Sequence, residues 1–165
     1  MKNYSFTFFV LLSFFVLGQG NAQKKQFKHT VTINDTQENV WNALMDYSNF
    51  KLWDSNIVDV RCPDQLKKKQ SCQVIVESGQ IYDVEIFEIV ENESYTLRYD
   101  LPTGTLYMQR TLKAGSPLEL SETVWYRGIS QKTFERYKGA DYEESLKEKW
   151  VGFKNYMEKS ARDGK

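Results

Sequence analysis

The chain has 165 residues, 22 Lys plus Arg against 22 Asp plus Glu, one His and two Cys, a length suited to one domain. Zero net charge and a pI of 6.6 argue against a nucleic-acid binder, whose surface is strongly basic, and one His with two Cys cannot build a zinc-finger site; no metal or cofactor is expected. The content of 41% hydrophobic and 15% aromatic residues is that of a globular chain, and the negative mean hydropathy excludes a polytopic membrane protein.

The N-terminus reads as a leader. Lys2 supplies a positive charge, 6–17 is an apolar run broken only by Thr7 and Ser13, and Gly20-Asn21-Ala22 is a small-x-small site. That pattern predicts a signal peptide over 1–22, cut between Ala22 and Gln23. As a helix the run would rise only about 18 Å against about 30 Å of hydrocarbon, too short for a stable membrane span. The expected mature chain is one domain over 23–165, of charge near minus one, exported to the periplasm or the medium. In an oxidising compartment Cys62 and Cys72, ten residues apart, are expected to pair across a hairpin loop.

Phe27, His29, Val31 and Ile33 alternate with polar residues, the period of a half-buried strand. Asp35-Thr36 is an N-cap for a short helix carrying Val40, Trp41, Leu44 and Met45, followed by a second short turn over 48–52. Strands are then expected at about 57–62, 72–78, 81–90, 94–101, 104–113 and 118–127, separated by turn residues at Ser78-Gly79, Glu91-Asn92-Glu93, Pro102-Thr103-Gly104 and Ala114-Gly115-Ser116-Pro117. The chain ends in an amphipathic helix over 142–161, capped by Asp141, with Leu146, Trp150, Phe153 and Met157 on one stripe. This order has one evident packing solution. A twisted seven-stranded antiparallel sheet curls round the only long helix and leaves a cavity between them.

The segment Asn39-Val40-Trp41-Asn42-Ala43-Leu44-Met45-Asp46-Tyr47-Ser48-Asn49-Phe50-Lys51-Leu52-Trp53 resembles the short aromatic motif of the START-like, or SRPBCC, helix-grip superfamily, which includes polyketide cyclases/dehydrases, lipid-transfer proteins and pollen allergens. The strand order and the final helix agree with that resemblance over the whole mature chain. It implies an α+β helix-grip fold and, as function, either a carrier or an enzyme. The glycine-rich loop of the pollen-allergen branch is missing: the matching hairpin, 63–71, has three lysines and no glycine.

Candidate ligand contacts are Trp150, Phe153 and Met157 on the helix, as cavity floor, and Tyr82, Tyr95, Leu97, Tyr99, Tyr107 and Trp125 on the strands. Apolar walls with a few phenols suit a hydrophobic molecule bearing a polar group, whether lipid, sterol-like or aromatic. For the 114–117 hairpin a register pairing Leu112 with Leu118 and Arg110 with Leu120 gives a coherent apolar face. It places Arg110 inside, where its guanidinium needs a partner such as Glu122 or a ligand carboxylate. The mouth is expected near Gly104, at the end that also carries Gly79 and the stretch 129–140, with Phe134 and Tyr137 as a gate in a basic segment. Lys67-Lys68-Lys69 at the opposite end reads as a solvated turn.

Support for catalysis is weak. His29 has nothing adjacent to orient it, Asp83 and Glu85 fit a solvent face, and no nucleophile elbow, P-loop or dinucleotide signature is present. The expected function is an exported carrier or sensor of a hydrophobic small molecule. The alternatives are a cyclase-like enzyme acting on an aromatic or polyketide-type substrate, and an interaction protein whose cavity is filled by its own side chains.

Overall fold

The computed structural model describes residues 26–63 and 66–163. The expected leader and its cut at Ala22–Gln23 therefore lie outside the described residues. Strand β1 (Gln26–Ile33) is followed by helix α1 (Gln37–Met45) and a 3-10 helix (Tyr47–Leu52), then by β2 (Ile57–Arg61), β3 (Ser71–Val76), β4 (Ile81–Val90), β5 (Ser94–Leu101), β6 (Gly104–Lys113) and β7 (Leu118–Arg127). Helices α2 (Gln131–Lys138) and α3 (Tyr142–Asp163) end the described chain.

The seven strands form one sheet in the order β1-β7-β6-β5-β4-β3-β2, antiparallel throughout. Since β1 and β2 are opposite edges, the chain between them must cross the sheet, and α1 with the 3-10 helix makes that crossing. Thr36 caps α1 by accepting from the Asn39 amide at 3.2 Å, and Val40, Trp41 and Leu44 are the face it buries. Register shifts between Ile57 and Asp59 and between Ile86 and Glu88 are the local irregularities that bend a sheet round a helix.

One face of the sheet meets α3. Leu106, Met108, Arg110 and Leu112 of β6 alternate inward, as do Leu118, Leu120, Glu122 and Val124 of β7, and all eight are buried. On the helix, Leu146, Trp150, Phe153 and Met157 are buried as their spacing predicts. Burying each such side chain contributes about 1.5–3 kcal/mol. Gly152 lets α3 approach the chain after the 3-10 helix: a Cβ there would stand 2.6 Å from the Trp53 carbonyl oxygen.

The disulfide joins Cys62 to Cys72, as the sequence suggests. Within the stretch 129–140, residues 131–138 form α2, capped by Ser130 accepting from the Thr133 amide at 3.2 Å. One expectation needs correction. The β6–β7 register differs by two residues from the expected one. Leu112 pairs with Leu120 and Arg110 with Glu122, while Leu118 pairs with Ile33 of β1. A slip of two keeps every side chain on its face, so Arg110 is inside nonetheless.

Candidate functional site

Between α3 and the middle of the sheet lies a cavity of about 390 Å³. Its apolar wall is the inner face of β3–β6: Cys72, Val74, Val84, Ile86, Leu97 and Met108. Tyr47 and Phe50 of the 3-10 helix close one side, and Tyr142, Ser145, Leu146 and Lys149 of the first turns of α3 close another. The exposed wall residues Asn56, Glu77, Ser78 and Gln80, with Tyr137 and Lys138 of α2 opposite, mark where the cavity meets solvent.

Behind the wall sits a buried ionic group. The Arg110 guanidinium donates from Nε to Glu122 Oε2 at 2.7 Å and from Nη1 to the Tyr95 hydroxyl. Lys149 Nζ donates to Glu122 Oε1, so one carboxylate serves two cations. Rings of Phe50, Trp53, Tyr95 and Trp150 surround the guanidinium with centroids 5.1–5.6 Å away, and their quadrupoles favour its charge. Burial alone would raise the Glu122 carboxyl, but Lys149 and Arg110 outweigh it and hold it below the ordinary value. Burial pushes the Lys149 amine down.

Lys138 is different. Its Nζ lies 5.2 Å from the centre of the Tyr99 ring. Burial, helped by the charge of Lys149, lowers its amine to about 8, with Asp54 and Glu122 opposing. Asp54, also buried, accepts from the Asn56 amide at 3.2 Å and its side-chain amide at 3.4 Å. The hydroxyls of Tyr47 and Tyr142 are buried on the cavity wall with no hydrogen-bond partner among the described residues, and burial pushes both phenols up.

The side chains expected at a ligand site fall into three groups. Tyr82, Leu97, Tyr99 and Arg110 line this cavity. Tyr95 is one layer deeper, 1% exposed and bonded to Arg110. Tyr107 and Trp125 correct the expectation: they stand on the opposite face of the sheet, stacked on each other at 5.3 Å, because in β6 and β7 the residues of the other parity face α3.

Three further expectations are corrected at the helix and the mouth. Trp150 and Phe153 are not a cavity floor, because Trp53 packs against both, at 5.8 and 4.9 Å between ring centres, and fills the space. Met157 lines a separate shallow cleft between α3 and α1, with Asn42 and Ala43. The mouth is not near Gly104 and Phe134. A Cβ on Gly104 would stand 2.3 Å from the Arg127 carbonyl oxygen, and Phe134 is 1% exposed, stacked on Phe27 and Tyr126 at 4.9 and 4.8 Å. The opening lies instead beside Gly79, and of the two gate residues only Tyr137 borders it.

Tyr47, Asp54, Lys138, Tyr142 and Lys149 were not visible as site residues in the sequence. No local pattern marks them, because Lys138, Tyr142 and Lys149 stand among other polar residues on α2 and the first turns of α3. Elsewhere, His29 stands on edge strand β1, paired in register with Glu122 and off the cavity wall. Asp83 and Glu85 face outward to Gln73 and Arg98. Among the described residues no cluster of three or more His, Cys, Asp or Glu is placed to hold a metal ion, and no helix is long and apolar enough to cross a membrane.

No family model and no curated protein sequence matches the chain. Solved structures are similar in fold. A START superfamily protein from Mycobacterium smegmatis superposes with a TM-score of 0.62 at 12% identity, over 81% of this chain and 97% of that one. Ara h 8.0201 does so with a TM-score of 0.61 at 11% identity, over 81% and 97%. DynU16, a putative protein of the dynemicin biosynthetic locus, gives 0.63 at 16%, over 81% of this chain and 47% of that one. The cavity between curved sheet and long helix is thus held in a START-like helix-grip fold, the architecture the aromatic segment at 39–53 implies.

Proposed function

We propose that the protein is an exported carrier or sensor that takes one hydrophobic small molecule, non-covalently, into the cavity between β3–β6 and α3. The observation that carries this reading is a volume of about 390 Å³, walled by apolar strand residues and edged by buried phenols that lack partners among the described residues. That volume is at the lower end of small-ligand sites, roughly 300–1,000 Å³, so it suits a single-chain or few-ring molecule better than a two-tailed lipid. Export rests on the N-terminal 22 residues, and the Cys62–Cys72 disulfide supports it. A cyclase-like reaction would need a general acid or base against the ligand; the three groups the sequence offers, His29, Asp83 and Glu85, lie off the cavity wall, whereas Asp54 and Lys138 lie on it.

The test is native mass spectrometry of the exported protein, then solvent extraction and titration with a neutral apolar fluorophore such as N-phenylnaphthylamine. A co-purifying apolar molecule, or one fluorophore bound per chain, is the expected result. An empty protein that takes up no fluorophore would sink the reading.

A further inference from the structure

The cavity holds more positive charge than it neutralises internally. Three cations, Arg110, Lys138 and Lys149, face it or stand directly behind it, against two buried anions, Asp54 and Glu122. Glu77, the other carboxylate on the wall, is exposed at the rim, where water screens it. Glu122 is shared between Arg110 and Lys149, and Asp54 is engaged by Asn56. Lys138 forms no ion pair among the described residues and has the Tyr99 ring as its contact. Lys138 is half-buried at the opening, and a partly desolvated cation without a counter-ion favours a ligand that carries in the opposite charge.

A second observation stands apart from charge. Tyr47 and Tyr142 are 92–93% buried on two sides of this cavity, and their hydroxyls have no hydrogen-bond partner among the described residues. Each is a donor awaiting an acceptor. Two ammonium groups and two free phenols around one apolar void describe the recognition of an oxyanion at the head of a hydrophobic body.

We propose that the occupant is an amphipathic monocarboxylic acid, its carboxylate held by Lys138 and Lys149 with the Tyr142 hydroxyl, its apolar body lying against Val74, Val84, Ile86 and Leu97. A single excess positive charge is balanced by one carboxylate, whereas a phosphate monoester would bring nearly two charges and leave the site negative. An alcohol would accept from a phenol and leave the half-buried Lys138 ammonium uncompensated. This inference rests on the cavity being a ligand site at all, and the experiment separates the two.

With N-phenylnaphthylamine bound at pH 7, decanoic acid, decanol and decyl phosphate are compared as displacers. Decanoic acid should displace at a concentration about tenfold below decanol, the value of one charge-assisted contact. Lys138→Met should bring that ratio to within about threefold, Lys149→Met likewise, while Lys132→Met on the exposed face of α2 leaves it unchanged. Lys138→Met is the decisive variant because it breaks no ion pair of the fold. Equal displacement by acid and alcohol, or an acid preference that survives in both variants, overturns the inference and leaves the carrier reading standing. A preference for decyl phosphate over decanoic acid overturns the monocarboxylate. Failure of the fluorophore to bind at all would count against the carrier reading itself.

Discussion

Under the middle of α3, Trp53, Trp150 and Phe153 interlock, and together with Leu118, Leu120 and Ile33 of the same core each is 4% exposed or less. Under its first turns, Tyr142, Ser145, Leu146 and Lys149 face a void. Both halves are lined by aromatic and aliphatic residues, so composition does not separate them. What does is the crossing segment: Trp41 and Leu44 of α1 and Trp53 just after the 3-10 helix pack into the filled half, while Tyr47 and Phe50 of the 3-10 helix stand on the side of the cavity. Arg110 and Glu122 lie between the two, with rings on one side and the void on the other. The buried ion group is thus the boundary between the filled part of the interior and the cavity.

Matched truncations should break the two halves unequally. Leu120→Ala in the filled half should cost about 4–5 kcal/mol and Leu97→Ala on the cavity wall about 2–3 kcal/mol, because a side chain already facing a void loses fewer contacts; equal costs by urea denaturation would mean that the cavity is closed in solution. Glu122→Ala should cost about 3–5 kcal/mol, since it leaves two cations buried side by side, and a loss under about 1 kcal/mol in the same assay would show that water reaches the boundary. Reducing Cys62–Cys72 should lower stability by about 2–3 kcal/mol, from the chain entropy of a short loop, which thermal melting with and without reductant would register.

A smaller effect concerns the hollow half alone. The Lys138 amine is lowered to about 8, and a bound carboxylate favours its charged form, so its value in the complex is higher. Acid binding should therefore be level below pH 8 and weaken as pH rises above it, by up to about tenfold. Of the other groups facing the site, Glu122 is held low and Tyr47 and Tyr142 are pushed up, so none of these three changes charge between pH 7 and 9; Lys149 and Asp54 also face it. Flat affinity in Lys138→Met across that range would assign the titration. The smallest expected effect is Tyr142→Phe, with stability changed by less than about 0.5 kcal/mol because its hydroxyl has no partner to lose among the described residues, and with acid affinity down about threefold.

The strands, α1 and α3 were legible in the sequence because period and caps are local: β1 alternates, Thr36 caps, and the Leu146 to Met157 stripe repeats at helical spacing. Helix α2 was harder to see. It is short and polar apart from Phe134, and its cap, Ser130, sits in a stretch that reads equally as a basic loop. Arg110 could be placed inside by parity, and Glu122 named as its partner, without the right register. Parity could not tell Tyr99 from Tyr107, since each strand has two faces and both carry tyrosines.

By itself the sequence determined the helix-grip order of elements, the Cys62–Cys72 pair and the inward turn of Arg110, because each follows from spacing along a few neighbouring residues. Only the tertiary structure decided where the interior stays empty, that Trp53 fills the space beneath Trp150 and Phe153, and that Lys138, Lys149, Tyr47 and Tyr142 converge on the remainder. Those residues come from three separate elements, and the distance between them is set by how far a bent sheet stands from its helix, a quantity that no local pattern encodes.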